Sequence, residues 1–179
     1  LAQGTPGARV FEVAVAFIPD AASETTAREE QRLGLLLYGS RFDGGWPQPQ
    51  ADLDYQDLKG IIEHLLRAFS LPAATFRPLE EPGLAWLSPC VSVSEGERLI
   101  GFAGQVKPAV ADAYHAKKPV WLAELNLDTL RELHLGMQVQ FAPLPVFPPV
   151  RRDITVICGP GVTNDAVLDA VQAMHVPML

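Results

Sequence analysis

With 179 residues, 48% of them hydrophobic and 20% charged, the chain can bury one well-packed domain, or one domain and a piece of another. A net charge of −7 sets the surface as a whole against nucleic acid, so any such contact needs a local basic patch. No apolar run approaches the roughly eighteen residues of a membrane helix, and Leu1-Ala-Gln-Gly4 lacks an initiating Met and the basic opening of a signal peptide, as expected of an excised segment.

Val10-Phe-Glu-Val-Ala-Val-Ala-Phe-Ile18 alternates as a strand should, with Phe11, Val13, Val15 and Phe17 on one face, and Pro19 ends it. From Asp20 to Glu30 the residues are small and polar, a loop or a helical start. Gln31 to Tyr38 is then apolar almost throughout, which suits a strand covered on both faces, and Gly39-Ser40 closes it. Gly44, Gly45, Pro47 and Pro49 surround Trp46 in a turn-rich connection.

Asp54 to Phe69 carries the strongest helical pattern. Leu58, Ile61, Ile62, Leu65, Leu66 and Phe69 recur at steps of three and four, while Lys59, Glu63 and Arg67 face elsewhere. Asp54 is placed to cap the helix, Asp57 adds negative charge at its positive end, and Pro72 blocks continuation. Gly60 costs about 1 kcal/mol against alanine inside a helix. It marks either a close neighbour or a plain propensity defect.

Ala73 to Arg77 is a short strand candidate. Trp86 to Ser94 and Leu99 to Val106 flank Glu95-Gly-Glu-Arg98 as a hairpin, with Gly101 and Gly104 marking a bulge or a close approach by the central helix. Pro108 suits the first turn of a short helix reaching about Tyr114. Val120 to Leu127 reads as a strand, Asp128 as the cap of a helix to Leu135, and Gly136 as its end. Hairpins without regular strand–helix–strand alternation predict an α+β domain with a largely antiparallel sheet and packed helices. Beyond the stiff, proline-rich stretch 143–149, Asp153 to Ile157 is expected to be a strand and Thr163-Asn-Asp165 to open a helix with Val167, Leu168, Val171 and Met174 on one side. One strand and one helix bury too little to stand alone, so this tail reads as the start of a second domain.

The residues alone show no catalytic machinery. His64, His115, His134 and His175 are scattered, and Cys90 and Cys158 lie far apart without C-x-x-C spacing, which fits a reducing compartment. Cys90 could serve a cryptic thiol hydrolase only if a histidine and an acid met it in space; a free cysteine opening a strand more simply behaves as a small hydrophobe. Asp52, Asp54 and Asp57 read as a solvated helix start or a cation site. Glu63 and Arg67 form an i to i+4 surface pair. Arg151 and Arg152, adjacent guanidiniums in an acidic chain, are the candidate contact for RNA or a partner carboxylate; the alternative is a strand start in which arginine pairs with Asp153. A stand-alone RNA-binding module is a further reading, opposed by the −7 charge.

Five blocks in order resemble the β subunit of bacterial phenylalanyl-tRNA synthetase. Asp54-Tyr-Gln-Asp-Leu-Lys-Gly60 is similar to that family's D-aromatic-x-D-L-K-G signature and Val10 to Phe17 to its F-E-x-x-x-x-F strand. Ile100-Gly-Phe-Ala-Gly-Gln-Val-Lys-Pro108 resembles its I-G-x-x-G-x-x-x-P strand, and Glu124 to Asp128 and Phe147-Pro-Pro-Val-Arg-Arg-Asp153 match two more blocks. Trp86-Leu-Ser-Pro-Cys90 departs from a His-Pro-Gly-like stretch, and the phosphate-binding arginine motifs of a class II synthetase are missing.

The resemblance implies a non-catalytic class II synthetase-like core over residues 1–142, a connector over 143–149, and over 150–179 the truncated start of a ferredoxin-like anticodon-binding domain. It implies a structural role in phenylalanine–tRNA ligase, beside an α subunit in an assembly of two α and two β chains. In that family the α subunit holds ATP, magnesium and phenylalanine, and no cofactor or metal ligand is expected in the present residues. The partners implied are the α subunit and, through the whole complex, tRNA(Phe), in the cytoplasm and away from membranes.

Overall fold

The computed structural model describes residues 6–42, 46–47, 51–72, 74–136, 141, 146, 148 and 150–174. The chain divides into two compact units, Leu1–Val139 and Gln140–Leu179.

The first unit is a six-stranded sheet of β1 (Gly7–Pro19), β2 (Ala27–Gly39), β3 (Thr75–Pro78), β4 (Leu87–Glu95), β5 (Arg98–Val106) and β6 (Val120–Asn126). Its order is β1-β2-β6-β5-β4-β3, and every neighbouring pair is antiparallel. Helices α1 (Tyr55–Ala68), α2 (Pro108–Ala113) and α3 (Leu127–Gly136) complete it, with a short 3-10 turn at Pro82–Leu84. The α+β, antiparallel reading therefore holds. β2 starts inside the segment expected to be a loop or a helical start, because Thr26, at φ +58°, turns the chain straight back from Asp20.

Each face of the sheet carries its own core. On one, α1 and α3 bury Leu33 and Leu37 of β2, Trp121, Ala123 and Leu125 of β6, and Val93, Ile100 and Ala103 of the hairpin. On the other, Tyr38, Leu87, Val106 and Val120 pack with Ala111 and Ala116, beside Leu36, Phe102 and Leu122. The period-two side-chain alternation of β2 feeds both clusters, as its apolar run requires.

The stripe of α1 buries Leu58, Ile62 and Leu66, with Leu65 and Phe69 packed partly against them. Ile61 is the exception, lying exposed at the margin. Nothing lies within 4 Å of a side chain built at Gly60, so this glycine is a propensity defect and marks no neighbour. The close approaches are at Gly101, where a Cβ would meet the Glu124 carbonyl oxygen of β6 at 2.0 Å, and at Gly104, where it would meet the Pro89 oxygen at 2.4 Å. Neighbouring strands cause them, not the central helix. A bulge between Val93↔Gly101 and Ser94↔Leu99 leaves Ile100 unpaired, and its side chain is buried.

The second unit contributes α4 (Asn164–Ala173), capped by Thr163, whose hydroxyl accepts from the Ala166 N–H at 3.2 Å. Residues 153–157, expected as a strand, are irregular and exposed. A strand needs a ladder, and no other strand lies among the described residues of this unit. Pro143, Pro145 and Pro149 of the connector, together with Gly44, Gly45, Pro49, Ala73 and His175, lie outside the described residues.

Candidate functional site

The most densely bonded polar region lies where β2 leads into α1. Asp54 Oδ1 accepts from the backbone N–H groups of Gln56 (2.8 Å) and Asp57 (3.1 Å), and Asp57 Oδ2 accepts from the Asp54 N–H at 2.8 Å. This reciprocal capping box satisfies donors that a helix start leaves unpaired. Across it lies Arg41, donating from Nη2 to Asp54 Oδ2 (2.8 Å) and Asp57 Oδ2 (2.8 Å) and from Nε to Asp57 Oδ2 (3.1 Å). Burial by itself would raise the Asp57 carboxyl, but the Arg41 and Asp54 hydrogen bonds and the guanidinium charge together hold it below the ordinary value. The Asp57 hydrogen bond in turn raises Arg41.

Lys118 completes the junction, donating from Nζ to Asp52 Oδ1 (2.7 Å) and Ser40 Oγ (3.0 Å). The acidic cluster is thus spanned by the protein's own cations. Among the described residues no group of three or more His, Cys, Asp or Glu side chains is placed to hold a metal ion.

Of the signature residues that follow Asp54, Tyr55, Asp57, Leu58 and Lys59 have structural work here, and Gly60 has none. Tyr55 lies against Trp121 with ring centroids 6.3 Å apart, Leu58 is fully buried, and Lys59 stands 5.1 Å above the Phe76 ring while pairing with Glu63 at 3.0 Å. Arg67 reaches the same carboxylate only at 3.8 Å. Trp121 Nε1 donates to the Leu53 carbonyl oxygen at 3.0 Å in a buried setting.

A second polar constellation lies on the sheet face that carries Leu36 and Tyr38. Glu30, the one buried charged residue among those described, binds Arg28 at 2.5 Å, Arg32, and the Asn126 amide at 2.9 Å. Arg32 also reaches Glu124 at 3.5 Å. The two guanidiniums pair through their Nη groups with carboxylates of the same sheet, so the charges of this face are internally neutralised, while the buried Arg32 Nε has no hydrogen-bond partner. Asn126 also caps α3, its Oδ1 accepting from the Thr129 N–H at 2.9 Å. Asp128, expected in that capping role, instead accepts from the Gln31 N–H at 2.8 Å and ties the helix to β2.

Cys90 lines an open depression of about 500 Å³ with Leu79, Glu80, Pro82, Leu87 and Pro89. None of its lining residues is a histidine, and burial pushes the Cys90 thiol up, away from the reactive thiolate. The thiol-hydrolase reading has no support in this geometry. Arg151 and Arg152 are exposed, and neither pairs with Asp153: Arg152 Nη1 donates to the Arg151 carbonyl oxygen at 2.9 Å.

Sequence reasoning missed Arg41, Lys118 and the Glu30 network. Arg41 is a lone cation and Lys118 directly follows Lys117, both outside any periodic pattern. Arg28, Glu30 and Arg32 alternate at period two, a signal hidden by reading 20–30 as a loop.

Comparison with known proteins agrees with the five sequence blocks. The family model described as the phenylalanyl tRNA synthetase beta chain CLM domain matches residues 1–127. The β subunit of phenylalanine–tRNA ligase from Oleidesulfovibrio alaskensis is 52% identical over 99% of this chain, and that from Nitratidesulfovibrio vulgaris is 51% identical over 100%. The chain spans 22% of the length of each. Among solved structures, pyrrolysyl-tRNA synthetase from Desulfitobacterium hafniense shares the fold with a TM-score of 0.54 at 15% identity, over 75% of this chain and 43% of that one. By its sequence, its sheet and the residues matched, the chain belongs to the family of the phenylalanyl-tRNA synthetase β chain CLM domain.

Proposed function

We propose that these residues act as a non-catalytic interaction module of phenylalanine–tRNA ligase, supporting a catalytic α subunit in the charging of tRNA(Phe). The observation that carries this reading is the internally neutralised sheet face: Arg28 and Arg32 are held by Glu30, and Arg32 also faces Glu124, where a nucleotide-binding sheet needs a cation free for phosphate. ATP and magnesium, implied for the whole complex, do not fit the polar clusters of this chain. The carboxylates at the start of α1 are taken by Arg41 and Lys118.

The packing supports a division of labour between the two units. Capping box, Arg41 bridge and Trp121 bond fix α1 on the sheet, giving a rigid slab. Residues 150–179 form the opening of a tRNA-facing domain, with Arg151 and Arg152 as its first contact for a phosphate or a partner carboxylate. The assembly is taken to hold two α and two β chains in the cytoplasm; among the described residues no helix is long and apolar enough to cross a membrane.

Two measurements test the reading. The purified chain should give no phenylalanine-dependent exchange of pyrophosphate into ATP, and exchange above background would overturn it. Co-expression with an α subunit should shift the chain to a larger species in size-exclusion chromatography.

A further inference from the structure

β1 is an outer strand of the sheet, and its free edge lacks the usual protections against strand pairing. It runs thirteen residues in unbroken register with β2, has no lysine, and keeps its only proline for the last position. At the two ends of the ladder the Asp20 N–H donates to the Thr26 carbonyl and the Ser40 N–H to the Pro6 carbonyl. Alternation between these ends commits the even-numbered residues of β1 to β2 and turns the backbone groups of Arg9, Phe11, Val13, Val15 and Phe17 outward. Four of these five carry the exposed apolar face: Phe11 is 75% exposed, Phe17 68%, Val13 54% and Val15 45%.

We propose that this edge is a strand-addition site for a second copy of the same chain, β1 pairing antiparallel with β1 of its partner about a two-fold axis at Val13. This inference does not rest on the proposed function. Val13 is the middle residue of the strand, so this register alone pairs its full length. Phe11 then faces Val15 of the other copy, and Phe17 faces the aliphatic stem of Arg9, whose head is held by the Arg41 carbonyl at 2.6 Å. On the opposite face Glu12 meets Ala14 and Val10 meets Ala16, large against small. Moving the axis to Glu12 sets two carboxylates opposite each other, which disfavours that register.

A pairing about 43 Å long and about one sheet thickness deep buries on the order of 400 Å² per copy. That sits near the lower limit of specific interfaces, roughly 1,000 Å² in total, and sets the working range at micromolar concentrations.

Light scattering and disulfide mapping on the chain test the proposal, the mapping in a Cys90→Ser, Cys158→Ser background. The chain should be dimeric at tens of micromolar and Val13→Lys monomeric with an unchanged circular dichroism spectrum. Under mild oxidation Val13→Cys should cross-link to itself. Phe11→Cys should cross-link only when mixed with Val15→Cys, a register readout that does not depend on Val13→Lys folding. A monomer at several hundred micromolar, cross-linking of Phe11→Cys alone, or protection of the β1 edge from hydrogen exchange only with an α subunit present would overturn it.

Discussion

The indole N–H of Trp121 on β6 donates to the carbonyl oxygen of Leu53, the residue before the cap of α1, at 3.0 Å and out of contact with water. One side chain thereby packs the core and fixes where the central helix begins. Trp121→Phe keeps most of the apolar volume but strands a buried carbonyl, a loss of roughly 1–3 kcal/mol. Urea unfolding should show the lower midpoint, and amide exchange should accelerate at the start of α1 before it does in β5.

Asp57 gives this junction a pH dependence of known sign. Its folded value lies below the ordinary 3.8, so the stabilisation from its charge is whole above 3.8 and is lost as pH falls through the depressed folded value. Asp57→Asn should lower the melting temperature at pH 7 and flatten its decline below pH 3.8, bringing the two proteins closer in acid. A decline as steep as that of the unsubstituted chain would show that Asp57 is not the group responsible.

Two glycines should answer alanine in opposite directions. Gly60 is exposed on α1 with nothing within 4 Å, so Gly60→Ala should stabilise by about 1 kcal/mol. At Gly101 the added carbon would sit 2.0 Å from the Glu124 oxygen and 2.9 Å from the Leu125 Cα, both backbone atoms that a side chain's adjustment cannot clear. Gly101→Ala should cost about 3 kcal/mol. Thermal melts of the pair check both signs.

Asn126 holds two structures at once, bonding Glu30 through its amide nitrogen and the first turn of α3 through its oxygen. Asn126→Ala should cost roughly 1–2 kcal/mol. Asn126→Asp should restore the cap but place a second carboxylate against Glu30, so its recovery in thermal unfolding should be partial.

Arg151→Ala with Arg152→Ala tests the tail. Both side chains are exposed and neither forms an ion pair among the described residues, so the double substitution should leave the melting of residues 1–139 unchanged. In the intact ligase it should weaken tRNA or partner affinity and reduce the salt dependence of that binding. Unchanged affinity for both would remove these arginines from the site.

Much of this architecture is legible without coordinates, because it rests on local patterns. The period-two run of β1, the stripe and Asp54 cap of α1, and the Gly96 turn between β4 and β5 each occupy a few consecutive residues. What escaped depends on residues far apart in the chain. Asp128 sits where a cap is expected, yet Asn126 takes that position and Asp128 reaches Gln31 across the sheet. Arg41 and Lys118 show no pattern because their partners are set by the turn into α1. The strand expected over 153–157 has local propensity but no neighbour to pair with among the described residues. Its failure to form shows that a strand is a property of a ladder, not of one segment.

β2 belongs to both cores, with Leu33 and Leu37 beneath α1 and α3 and Tyr38 among the residues around α2. Peeling that one ribbon away strips both sides together, so the unit has no half-built fallback. Lesions between residues 33 and 38 should therefore surface as vanishing protein in the cell, not as dulled performance of protein that survives.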